Sequence, residues 1–155
     1  MLPLSCAGGK SMSQEHAPDD FDWVAAQATC SSALMFERLR TRVREDVQRR
    51  NGIFNRNDGW TFEFHDEGDQ FEVSRGPASG FSGSNAAALV RFERVGRRIN
   101  VQGEDIDVDF TAVVTLDGTG LCRFVVGEVM YSEWELRRMA LEQLFFEETD
   151  TDSER

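Results

Sequence analysis

The chain has 155 residues, 40% hydrophobic and 29% charged, with a net charge of −11. Such a balance suits one globular domain with its own core rather than a disordered chain. It argues against non-specific binding to nucleic acid or to anionic membranes, since both need a basic surface.

Residues 1–19 read as a flexible leader. "MLPLSC" outlines a lipoprotein cleavage box, but no basic stretch and no apolar run precedes Cys6, so no export signal is expected. Met12 offers an alternative start. Asp20 is placed to cap a helix from Phe21 to Arg50, and "NG" at 51–52 supplies its left-handed stop. The second half of this helix carries Met35, Phe36, Leu39, Val43 and Val47 at helical spacing. The first half is made of small residues, "AAQATCSSA", with Trp23 and Val24 as its apolar anchors. A break near Ser31–Ser32 competes with one straight helix. Unbroken, the helix would be about 45 Å long and would overhang strands of ~17–27 Å. The one basic segment, "RLRTRVREDVQRR" at 38–50, is expected to be a solvated helix face.

Six strand-like runs follow. "WTFEF" and "QFEVS" flank a turn at Glu67-Gly68, which sets Phe64 opposite Phe71 and His65 opposite Gln70. "GPASGFSGSN" (76–85) is a glycine- and serine-rich loop with Phe81 at its centre. "ALVRFER" and "RINVQ" flank Val95-Gly96, setting Phe92 opposite Ile99. With Gly103-Glu104 as the next turn, "DIDVDFTAVVTL" places Val108 opposite Ile99. Phe62, Phe92, Val108 and Phe110 then point inward. "DGTG" joins this strand to "LCRFVV", setting Val114 opposite Cys122. Ser132-Glu133-Trp134-Glu135 is a capping box opening a last helix. That helix buries Leu136, Met139, Ala140, Leu144 and Phe145, and residues 148–155 form an acidic disordered tail. The expectation is a single α+β domain over 20–147, with a long N-terminal helix, a six-stranded antiparallel meander and a C-terminal helix on the same core.

The candidates for chemistry are few. Asp105, Asp107 and Asp109 alternate with Ile106, Val108 and Phe110. A calcium loop needs Gly at its sixth position and Glu at its twelfth, where this chain has Phe110 and Leu116. The aspartates are therefore assigned to a solvent face in two cross-strand rows, Arg91–Asn100–Asp107 and Glu93–Arg98–Asp109. His65 lies outward beside a turn, without the pocket that a general base needs. Cys6, Cys30 and Cys122 are odd in number and lack CxxC spacing. That pattern points away from zinc or a disulfide framework and towards the cytoplasm. No catalytic residue, metal or cofactor is assigned.

What remains is contact. Trp23 and Val24, with no evident home in the core, and Phe81 in its loop are the partner-binding candidates. Arg, Gly and Ala are abundant and Lys10 is the one lysine, as in a GC-rich bacterial genome. The leading expectation is a small acidic non-enzymatic protein acting through a protein partner or a homodimer, as a chaperone-like, immunity-like or adaptor module. Its rival is a binder of an apolar small molecule, held in a cavity between the long helix and the sheet.

Overall fold

The structure, a computed structural model, describes residues 17–54, 59–77 and 87–146. The first helical region is two helices, α1 (Trp23–Thr29) and α2 (Ser32–Phe54). Asp22 rather than Asp20 caps α1, its Oδ1 accepting the Ala25 N–H at 3.0 Å. The chain leaves helical dihedrals at Cys30 (φ −103°, ψ 70°). Ser31 then restarts the helix, its Oγ accepting the Leu34 N–H at 3.1 Å.

At its far end α2 does not stop at Asn51-Gly52. The Asn51 side chain turns instead to the edge of the sheet. It donates to the Phe62 carbonyl at 2.9 Å and accepts the Phe62 N–H at 3.1 Å. Both backbone groups belong to an edge strand and would otherwise face solvent. The helix thus gains an anchor at the residue expected to end it.

Seven antiparallel strands follow in sequential order: β1 (Trp60–Asp66), β2 (Gln70–Pro77), β3 (Ala88–Val95), β4 (Arg98–Glu104), β5 (Asp109–Leu116), β6 (Cys122–Val126) and β7 (Val129–Tyr131). A last helix, α3 (Glu133–Phe146), closes the chain of elements. The class is α+β with an antiparallel meander, as expected, but "VMY" adds a seventh strand.

The registers differ from expectation by even numbers. The first two turns are Gly68-Asp69 and Gly96-Arg97, each one residue later than expected, with the glycine leading at φ +84° and +63°. Phe64 therefore faces Val73, His65 faces Glu72, and Phe92 faces Val101. β5 and β6 are shifted likewise, with Val114 opposite Phe124. Between β4 and β5 the shift is four, because residues 105–108 are a loop and not strand. Its closure is local: the Gly103 N–H bonds the Val108 carbonyl at 2.7 Å, and Asp105 adopts φ +63°. Ile106 folds back onto Gly103, where a Cβ would lie 2.5 Å from Ile106 Cγ2 and 2.8 Å from its carbonyl oxygen. Only a residue without a side chain fits under Ile106. Since side chains alternate with period two, these even shifts leave every inward residue inward.

α2 and α3 cover one face of the sheet in a single core. Met35, Phe36, Leu39, Val43 and Val47 are buried, as are Phe62, Phe92 and Val108, while Phe110 is half-buried. Phe71 stacks on Phe92 at 4.7 Å between ring centroids and meets Phe36 at 5.1 Å. The basic segment is not uniformly solvated. Arg40 is buried between α2 and the β1–β2 hairpin, bonded to Asp66, the Gly68 carbonyl and Glu37, and lies against the rings of Phe36 and Phe71. Arg50 and Arg75, also buried, donate to the carbonyls of Phe145 (2.9 Å) and Leu144 (3.2 Å). Two cations thus complete the C-terminus of α3, where unpaired carbonyls and the negative end of the helix dipole favour positive charge. At its other end the expected box forms: Glu135 accepts the Ser132 N–H at 2.8 Å.

Cys30 and Cys122 are joined in a disulfide, with Cα atoms 5.4 Å apart and a sequence separation of 92. This corrects the expectation of unpaired thiols. Parity and spacing could not reveal it, because the break after α1 is what carries Cys30 to β6. No helix among the described residues is long and apolar enough to cross a membrane.

Candidate contact surfaces

α1 follows a segment that is fastened to the turn between β5 and β6. Asp117 organises that turn, accepting bonds from the Thr119 N–H (2.8 Å), the Thr119 hydroxyl (2.6 Å), the Leu121 N–H (3.0 Å) and Arg123 Nε (2.8 Å). Burial alone would raise the Asp117 pKa, but these bonds, that of the Thr119 hydroxyl first, hold it well below the usual carboxylate range. Phe21 lies over Gly120 on the same turn, so closely that a Cβ there would come within 2.6 Å of its ring. The Ala17 N–H also bonds the Gly118 carbonyl at 3.0 Å.

The far end of α1 is tied by the disulfide, and just beyond it Ser32 Oγ donates to the Gly96 carbonyl at 3.0 Å. Between these ties, no residue of α1 is buried. Trp23 and Val24 are each 59% exposed. A short helix held at both ends and presenting an exposed tryptophan costs little ordering entropy when a partner covers it.

A second surface lies between the last turns of α2 and the outer side of α3. It is an open groove of about 350 Å³, with Leu141 and Phe145 contributing to its lining. Three large apolar side chains stand at it while still exposed: Ile53 (61%), Trp134 (55%) and Phe146 (55%). Arg137 crosses to Asp46 in a two-pronged pair (2.7 and 2.8 Å) that fixes the two helices together. Arg138 pairs with Glu142 at 3.3 Å, and Arg49 is largely exposed.

The groove was not legible in the sequence. Ending α2 at Arg50 removed Ile53 from the helix, and Trp134 was read as part of a cap. One signal was present. Trp134 falls off the stripe of Leu136, Ala140 and Leu144, and a tryptophan off the buried stripe of a surface helix faces outward.

The remaining candidates are dispersed. Asp105 and Asp107 sit in the loop before β5, and only Asp109 is on a strand, opposite Gln102. Neither expected row exists, because the later turn at Gly96-Arg97 sets Arg91 opposite Gln102 and Glu93 opposite Asn100, and because residues 105–108 are loop rather than strand. The observed row is Glu72–Arg91–Gln102–Asp109. Within it Arg91 bonds Glu72 at 2.8 Å and also reaches Glu104 at 3.1 Å, which raises its pKa above the ordinary value. His65 Nε2 stands 3.3 Å from Ser74 Oγ and 3.4 Å from Glu63 on the outward face. Phe81 lies outside the described residues. Among the described residues no three His, Cys, Asp or Glu side chains gather as metal ligands. No protein-family model matches the chain, and no curated protein or solved structure matches it.

Proposed function

We propose that the protein is a non-enzymatic contact module, of chaperone, immunity or adaptor type, which engages another protein or a second copy of itself through α1. The observation carrying this reading is a helix with no buried residue that is nonetheless fastened at both ends. The small-molecule reading draws less support, because the interval between α2 and the sheet is packed by Phe36, Phe71 and Phe92. The compartment is part of the proposal. The cytoplasmic expectation rested on unpaired thiols, and a Cys30–Cys122 bond favours a setting where disulfides persist.

Light scattering and urea unfolding of the full chain and of Trp23→Ala test the reading. The variant should keep its stability within about 0.5 kcal/mol, as for an exposed site, and should lose self-association or partner capture. A strictly monomeric protein that loses several kcal/mol with Trp23→Ala overturns the proposal.

A further inference from the structure

A different feature carries a second interaction surface, independent of α1. The groove between α2 and α3 is lined by large apolar side chains and by more cations than carboxylates, in a protein whose net charge is −11. Four arginines, at 49, 50, 137 and 138, line it against two carboxylates, Asp46 and Glu142. On α3 the lining runs from Trp134 to Phe146, about 18 Å at 1.5 Å per residue, the length of a three-turn helix. Because Ile53, Trp134 and Phe146 stand exposed at the groove, it would leave much of a small ligand wet, whereas a helix laid in it covers those side chains.

We infer that this groove docks an acidic amphipathic helix from a partner protein, with its apolar stripe against Ile53, Trp134 and Phe146 and its carboxylates towards Arg49 and Arg138. Charge complementarity selects that occupant over a second copy seated groove to groove, because a two-fold contact would set the arginines of the two grooves against each other. The chain's own segment 147–155, "EETDTDSER", has the right charge but no large apolar residue to fill the groove.

The experiment is selection of a displayed random twelve-residue peptide library on the full chain, with counter-selection on Ile53→Asp. Positions 53 and 49 are exposed, so Ile53→Asp and Arg49→Glu should melt like wild type. Enriched peptides should carry apolar residues at i, i+3 or i+4, and i+7, with a net negative charge. Their binding should weaken about tenfold or more with Ile53→Asp or Arg49→Glu, and should weaken with added salt. Enrichment of basic or uncharged peptides, or of none that Ile53→Asp removes, overturns the inference. So does a dimer abolished by Ile53→Asp, which assigns the groove to a second copy. Binding seen only in a chain lacking residues 147–155 assigns it to the chain's own tail and likewise overturns it. Trp23→Ala should leave peptide binding unchanged, so this surface and α1 stand or fall separately.

Discussion

Breaking the Cys30–Cys122 bond should cost the domain a large part of its stability. The bond joins cysteines at a sequence separation of 92 and closes a loop that encloses α2 and β1 to β5. In the chain-entropy description, a loop of that size restricts the unfolded ensemble by about 4.6 kcal/mol. Single domains are stable by only about 5–15 kcal/mol, so the bond is comparable with the whole margin. With a urea slope of about 2 kcal/mol/M, the unfolding midpoint should fall by about 2 M. Urea unfolding followed by far-ultraviolet circular dichroism, with and without reductant, reads this directly. The double variant Cys30→Ala/Cys122→Ala should start at the lower midpoint and ignore the reductant. Thiol titration of the denatured protein, after air oxidation at low protein concentration, should count one free cysteine and, after reduction, three. Three thiols before reduction, or a midpoint unmoved by reductant, would refute the argument. A smaller drop with the correct thiol count would mean that the reduced, unfolded chain keeps structure across the loop.

The remaining predictions concern the two loops that set the sheet. Gly103→Ala should destabilise by about 1–3 kcal/mol, since the added carbon meets the backbone oxygen of Ile106 and not only a movable side chain. Urea unfolding measures it, and adding Ile106→Ala should recover only part of the loss because that oxygen remains. Asp117 titrates with a lowered folded pKa, so its contribution is full above the unfolded value of about 4 and is lost as pH falls towards the folded one. The stability gap between wild type and Asp117→Asn should therefore be constant from pH 7 to about 5 and shrink below pH 4. A gap that widens on acidification would contradict the assignment.

Much of the fold was legible because period-two and helical patterns report faces, and faces survive errors of register. Phe62, Phe92 and Val108 reached the core although every hairpin pairing was misplaced by two or four residues. In the first two hairpins, and in the turn expected at Gly103, the misplacement concerns where the glycine sits. A two-residue loop with glycine first asks for positive φ at that glycine, yet Gly68 and Gly96 were put second while Gly103 was put first. Gly103 is small for a tertiary reason, the close approach of Ile106, which no local rule reads. Asn51-Gly52 misled in the same way. A side-chain amide meeting the edge of a sheet eleven residues on outweighed the local preference to stop the helix.

The candidate surfaces were legible in proportion to how local they are. Trp23 and Val24 stood out because their own helix gave them nothing to pack on, and both are exposed. The groove needed Ile53, Trp134 and Phe146 together, residues from two helices separated by the whole sheet in sequence. It also needed the length of α2. From the break at Ser31 to the middle of the groove-lining stretch near Arg50 is about 28 Å along that helix at 1.5 Å per residue. One surface therefore lies at the start of α2 and the other near its end, and Leu39, Val43 and Val47 bury the helix between them in the core. A helix so buried cannot be displaced by one partner without unpacking the sheet. The break at Cys30 removes the overhang expected of one unbroken helix, and α2 is left as a rigid spacer that holds the exposed side chains of α1 and those of the groove apart.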